Sequence, residues 1–310
     1  MKTVLITGGT GMVGSALADM LNDQGYRVKI LTRGRSETLR ENREHIQWNP
    51  ESKQVIPGLL HDVHAVVNLA GAGVMDQRWS DAYKKNIAES RIRSGEWLCH
   101  QFLADRGACT TLISASAIGW YGPDHSPAIP FTEEAPADPT FLGQTCKQWE
   151  SSVDAVQSLN IRLVKLRIGI VLDANQGALQ EFMKPLRWGI ATILGSGDQQ
   201  ISWIHKTDLC RMIRYAIEHE TVQGIFNAVA PAPVTNALLV KELAERMRKG
   251  RYIPLYVPEW VLRLVLGESS IEVLKSATVS CRKIHQTGFT FLFPSVQAAL
   301  DQLLAQKKPE

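Results

Sequence analysis

Residues Thr7-Gly8-Gly9-Thr10-Gly11-Met12-Val13-Gly14 decide how this chain folds. They fit GxGxxG through Gly9, Gly11 and Gly14, and equally GxxGxxG through Gly8, Gly11 and Gly14. Just before them Thr3–Thr7 is a β-rich run; just after, Val13, Leu17, Met20 and Leu21 recur at helical spacing. A glycine turn that follows a strand and opens an amphipathic helix is far more specific than the motif alone. Glycine permits the tight turn and lets backbone approach a pyrophosphate closely. The helix start adds free N–H groups and the positive end of its dipole. Gly8, Gly9, Thr10, Gly11, Met12 and Val13 therefore form the expected phosphate cradle. The competing reading is a bare glycine turn that holds nothing.

Outward from this unit, short β-rich runs recur at Val28–Thr32, Ala65–Leu69, Thr111–Ser114 and Arg162–Ile168, with helical stretches between most of them. Nearly continuous apolar strands alternating with helices predict a doubly wound α/β sheet, parallel and covered on both faces. After Gly169 the texture turns glycine-rich, through Gly177, Gly189, Gly195 and Gly197, before a helix at Lys206–Glu218 and a strand at Ile225–Ala228. From Pro231 the chain reads as helical, broken at Pro254, Pro258 and Pro294. The expected organisation is a nucleotide-binding body over 1–170 and 206–230. Residues 171–205 and 231–310 form a smaller, mainly helical region covering a substrate.

An acid about 20 residues beyond the glycines would hold the ribose 2′-hydroxyl of NAD. The second strand instead ends Leu31-Thr32-Arg33, and Asp19 and Asp23 fall too early, inside the first helix. A guanidinium at that point pairs bidentately with a 2′-phosphate, which favours NADP. The alternative is an arginine solvated in a loop. Asn68-Leu69-Ala70-Gly71-Ala72-Gly73 closes another strand with small residues, leaving room for an adenine and ribose. On the helix predicted over Ser80–Asp105, one face carries Tyr83, Ile87, Arg91, Ser94 and Leu98. An inward Arg91 needs an anion or a set of acceptors. Cofactor would supply them, as would a local salt bridge.

The 310 residues are 45% hydrophobic and 21% charged, ordinary for a globular chain, and basic residues exceed acidic ones by 34 − 31 = 3. So small an excess gives no warrant for nucleic acid or a membrane surface. Cys99, Cys109, Cys146, Cys210 and Cys281 show no CxxC spacing, and nothing near His61 and His64 completes a ligand set. No metal is expected, and the thiols suit a reducing compartment. The chain enters its first strand at once, and no apolar run reaches ~20 residues, so a cytoplasmic protein is expected.

Taken together, TGGTGMVG, NLAGAG, a strand ending SAS, and GSGDQQISWIHKTDL resemble the extended short-chain dehydrogenase/reductases, in that family's order. RWSDAYKKNIAESRI, SASAIGWYG, LRIGIVLD and NAVAPAPVTN are similar to its "epimerase family" branch, of the YfcH type. The resemblance covers nearly the whole chain, and the carboxy-terminal segment is similar to that branch's own small domain. It implies a Rossmann sheet, NADP(H) binding, and cofactor contacts at Thr32, Arg33, Leu69, Ala70, Asn86, Arg91 and Val171. By analogy it also implies a small-molecule substrate and a homodimer.

The departures from the family matter as much. Its chemistry uses a tyrosine with lysine four residues on, one helical turn away, and a nearby serine. None of the six tyrosines here has lysine at that spacing. In the expected helix Phe141–Glu150, Lys147 is paired in register with Gly143; one residue earlier the pair is Leu142 and Cys146. Ser116, Tyr121 and Lys147 are the substitutes, against bland readings as a turn cap, a packed aromatic and a solvated lysine. The family's sugar-nucleotide epimerases place an arginine where Ile201 stands, so a diphosphate clamp worth ~1.5–3 kcal/mol is missing. Trp203, Tyr256, Trp260 and Phe289 suit a flatter, less charged ligand, or the core; His205 suits a helix start. The expectation is an NADP-dependent oxidoreductase or epimerase-like enzyme, with a non-catalytic NADP(H)-sensing regulator as the alternative.

Overall fold

The computed structural model describes residues 1–40, 42–126 and 129–305. Strand β1 (Thr3–Thr7) runs through the glycine turn into α1 (Met12–Asp23), which crosses back to β2 (Arg27–Thr32). A short excursion adds β3 (Glu37–Arg40) and β4 (Arg43–Gln47). Then follow β5 (Val63–Asn68), the long helix α2 (Asp81–Ala104), β6 (Thr111–Ala117), α3 (Phe141–Ser151) and β7 (Arg162–Ile168). Beyond β7 come β8 (Ile170–Leu172), α4 (Ala178–Leu186), β9 (Ile190–Leu194), β10 (Gln200–Ile201) and β11 (Trp203–His205). Helix α5 (Lys206–Glu218) then returns the chain to the sheet at β12 (Gly224–Ala228). The remainder comprises β13 (Val234–Thr235), α6 (Asn236–Arg248), β14 (Ile253–Val257), α7 (Glu259–Leu266), α8 (Ser270–Leu274), α9 (Arg282–Gln286) and α10 (Val296–Ala305).

The main sheet has the order β12-β7-β6-β5-β1-β2-β4-β3, with seven parallel strands and β3 antiparallel at the edge. Alternation along the strands feeds two cores at once. Val4, Ile6, Val28 and Ile30 meet Leu17, Leu21 and Ile213 of α1 and α5 on one face. On the other, Leu5, Leu31 and Val66 meet Trp97, Leu98 and Phe102 of α2. Burial on both sides explains why these strands read as continuous apolar runs. It also confirms the doubly wound α/β fold expected from them. The order reverses at β1, whose neighbours are β2 and β5; open parallel sheets form ligand crevices at such a switch point.

Past β7 the chain builds a further core of its own, in which Leu179, Met183 and Leu186 of α4 meet Leu239, Leu243 and, from α10, Leu300. Here the sequence reading needs correction. It placed only helix and loop around Pro254, yet Ile253–Val257 is a strand paired in parallel with β9. Ile253 donates its N–H to Gly189 at 2.8 Å, so Pro254, next along, turns its donor-less nitrogen to the open edge. The body and this region are stitched together by buried Asp208 at the start of α5. Its two oxygens each accept a backbone N–H at 2.9 Å, from Leu292 and Phe293.

Candidate functional site

The floor of the site is backbone packed against backbone. A Cβ added to Gly8, whose φ is +67°, would lie 2.7 Å from both the carbonyl carbon and oxygen of Leu69. At Gly14 an added Cβ would overlap the Gly8 carbonyl and stand 2.6 Å from Gly9 Cα. Only glycine lets the turn touch the end of β5 while α1 sits on the turn. Side chains lock this arrangement from below. Buried Asn68 accepts through Oδ1 from Thr7 Oγ1 at 2.7 Å and from Ser94 Oγ at 2.8 Å. Thr7 Oγ1 in turn accepts the N–H groups of Leu69 and Ala70, each at 3.2 Å.

Above this floor opens a cleft of about 750 Å3, within the size range of small-ligand sites. Of the residues expected at a cofactor, Gly8, Thr10, Gly11, Thr32, Arg33, Leu69, Ala70 and Asn86 line it. Gly9 is packed against Ile30 instead, and Met12 and Val13 form the first turn of α1. Val171 sits close by, its carbonyl 3.8 Å and the Met12 sulfur 3.5 Å from a Cβ built on Gly177. The amino end of α1 has no side-chain cap and no acid in its first turn. Its free N–H groups and dipole therefore favour an anion.

Arg33 is exposed at the end of β2, and none of the described ion pairs engages it. The acids lining the cleft are Glu51, Glu89 and Asp76; the first two both pair with Arg93, at 3.2 and 2.9 Å. No acid stands where β2 ends. Arg91 lies under the second loop, its Cγ and Cζ 3.0 and 3.1 Å from a Cβ built on Gly71. It donates to the Ile87 carbonyl at 2.8 Å and lies over the Trp149 ring, 5.1 Å from its centroid. Burial pulls its pKa down from the usual guanidinium value, with no carboxylate in salt-bridge contact among the described residues.

Of the three substitutes for the missing acid, Ser116 and Tyr121 share one buried network through Glu150 and Arg167, and Lys147 stands apart. Tyr121 is wholly buried, stacked on Phe131 at 5.0 Å. Its hydroxyl donates to Asn227 Oδ1 at 2.7 Å and accepts from Arg167 Nη1 at 3.0 Å. Burial drives its pKa up to about 12, although Arg167 works in the other direction. Ser116, also buried, donates to Glu150 Oε1 at 2.7 Å. Glu150 is held by Arg167 through Nε at 2.8 Å and Nη2 at 3.2 Å, and Arg167 also stacks 3.6 Å over Trp120. Lys147, meanwhile, is exposed on α3. The cation beside the Tyr121 phenol is thus Arg167, not Lys147.

Why α3 lacks the tyrosine is visible too. A Cβ on Gly143 would lie 2.8 Å from the Asp138 carbonyl carbon, which forbids any side chain in register with Lys147. The face turned to the end of β6 carries Leu142 and Cys146, with Cys146 Sγ 3.6 Å from the Ala117 carbonyl. Burial raises that thiol to about 12, so it stays protonated at neutral pH. Trp203 and Phe289, read as possible ligand platforms, are core; Tyr256 and Trp260 are exposed. His205 caps α5, accepting from Thr207 N at 3.0 Å. Among the described residues no group of three His, Cys, Asp or Glu is placed to hold a metal ion.

Comparison with known proteins places the chain. Residues 4–164 match the NAD dependent epimerase/dehydratase family, and residues 257–303 match a domain of unknown function, DUF1731. The epimerase family protein YfhF of Bacillus subtilis is 34% identical over 306 residues, covering 98% of this chain and 99% of that one. An epimerase family protein of Staphylococcus epidermidis, SERP0438, is 36% identical over 307 residues, with 98% and 99% covered. Among solved structures, the human epimerase family protein SDR39U1 (isoform 2) with NADPH superposes with a TM-score of 0.86. It is 28% identical, and the match covers 98% of this chain and 100% of that chain.

Proposed function

The chain belongs to the NAD dependent epimerase/dehydratase family, and on that premise we propose that it binds NADP(H) as an oxidoreductase or epimerase-like enzyme. One observation carries the reading: an anion-seeking cleft at the sheet's switch point, with Arg33, which none of the described ion pairs engages, where NAD-binding relatives of the fold need an acid. Gly8 and Gly11, with the first turn of α1, would hold the diphosphate, and Thr32 and Arg33 the 2′-phosphate. Leu69 and Ala70 would flank the adenine half; Asn86, Arg91 and Val171 would complete the contacts. When bound, NADP(H) supplies hydride chemistry. The NADPH of the human structure supports this assignment without deciding it for this chain.

The substrate, in this reading, is a small molecule without a diphosphate, because Ile201 offers no charge for one. Proton transfer is not assigned to Tyr121, whose hydroxyl is committed to Asn227 and Arg167. Titrating the purified protein with NADPH and NADH tests the cofactor. Binding of NADPH at least tenfold tighter is expected; equal affinities, or preference for NADH, would remove the proposal.

The second reading, a protein that senses NADP(H) without turnover, gains from the burial of Tyr121 and the exposure of Lys147. Tight binding with no NADPH oxidation across a broad carbonyl panel would favour it. Turnover of any panel member would eliminate it.

A further inference from the structure

Far along the chain from the glycine turn, two other turns lie side by side. One joins α4 to β9 through Arg187, Trp188 and Gly189; the other joins α6 to β14 through Lys249, Gly250 and Arg251. The Ile253 N–H bond to Gly189 ties them, as does the Arg248 guanidinium, which donates to the Arg187 carbonyl at 3.3 Å. Ile190 pairs with Ile253, so their side chains share a sheet face, and Leu255 lies two residues on along it. These apolar groups are strongly exposed: Trp188 at 86%, Ile253 at 72% and Leu255 at 50%.

Around this apolar tip stand four cations, Arg187, Arg248, Lys249 and Arg251. None of the described ion pairs engages them, whereas nearby Lys184 and Arg246 are neutralised by Glu181, Glu242 and Asp301. Glu245, the acid close to this tip, accepts from the Tyr252 hydroxyl at 3.0 Å. We propose that this tip docks on the surface of an anionic lipid membrane, Trp188, Ile253 and Leu255 entering the interfacial layer while the cations engage phosphate headgroups. Tryptophan favours that layer, and each basic residue near an anionic leaflet adds to binding.

Other occupants fit less well. A second copy related by a two-fold axis would bring the same four cations against each other. Strand addition is blocked because Pro254 turns a donor-less nitrogen to the open edge of β14. Single-stranded nucleic acid stacks successive bases on several aromatic faces, whereas beside the single Trp188 this tip presents aliphatic Ile190, Ile253 and Leu255. No helix among the described residues is long and apolar enough to cross a membrane. The near-neutral overall charge gave no warrant for this; the placement of the charges does.

Vesicle flotation of the full chain tests the proposal. Phosphatidylcholine vesicles carrying phosphatidylglycerol are expected to float the protein at least tenfold better than phosphatidylcholine alone, and added salt to reverse this. Trp188→Ala, and Lys249→Glu with Arg251→Glu, should each abolish flotation while far-UV circular dichroism and NADPH binding stay unchanged. Equal behaviour on both vesicle types, or full flotation of the charge-reversed variant, would overturn the idea. So would a dimer in light scattering that these same substitutions dissociate, or an RNA that displaces the vesicles.

Discussion

At the head of α1 and the end of β2 the protein leaves charge unanswered. The helix carries no cap, and Arg33 engages none of the described carboxylates. Across the sheet, in the last residues of β6, β7 and β12 and the chain beside them, the opposite holds. Ser116, Glu150, Arg167, Tyr121 and Asn227 are each bonded to another member of that set, all of them buried. The first region has the character of a seat for something that arrives; the second is already complete. Polar residues in the second region are thus evidence of architecture before they are evidence of catalysis. A buried, satisfied network specifies a conformation, and a half-satisfied one is costly.

The largest effect that would test this contrast comes from Arg167→Ala. It strands the Glu150 carboxylate in the interior, and a loss of ~3–5 kcal/mol is expected in urea unfolding. A loss below ~1 kcal/mol would mean the region is more hydrated, and more site-like, than its geometry indicates. Next comes Arg33→Ala, which should weaken NADPH by ~1.5–3 kcal/mol and leave NADH and the unfolding midpoint unmoved. If both nucleotides weaken alike, Arg33 is not reading the extra phosphate. The smallest effect on the nucleotide is expected from Tyr121→Phe, which leaves buried Asn227 Oδ1 without its donor at a cost of ~1–3 kcal/mol in stability. NADPH affinity should not change, and neither should the pH profile of any turnover found. A profile shifted by this substitution would bring Tyr121 back into the chemistry.

The contrast also explains what could be read from the residues alone. Thr3–Thr7, Arg162–Ile168 and Lys206–Glu218 have the bounds that periodicity assigns them, because their burial is simple: two faces for a strand, one stripe for a helix. The glycine turn and the cleft residues were legible for a similar reason, since backbone proximity demands glycine at Gly8 and Gly14. Strand β4 was missed; Arg43–Gln47 is only half-buried, and in RENREHIQW the apolar residues are Ile46 and Trp48, too few to mark a strand. Strand β14 was missed because Pro254 argues against a strand, and only its place on an open edge makes it tolerable. The Arg167–Glu150 pair was invisible for a deeper reason. A buried ion pair and two solvated charges are spelled identically, and the partners lie 17 residues apart on different elements. Gly143 falls between these cases: its presence was evident, but the Asp138 backbone that forbids a side chain there was not.

Asp208 carries a last implication, for whether the carboxy-terminal segment can be cut away. The epimerase family match ends at residue 164, and the DUF1731 match begins at residue 257. Yet β14 ends at that boundary while still paired to β9, and the carboxylate of Asp208 is satisfied by amides from Leu292 and Phe293 beyond it. Truncation at that boundary would therefore strip the buried Asp208 carboxylate of both amides and destabilise the start of α5.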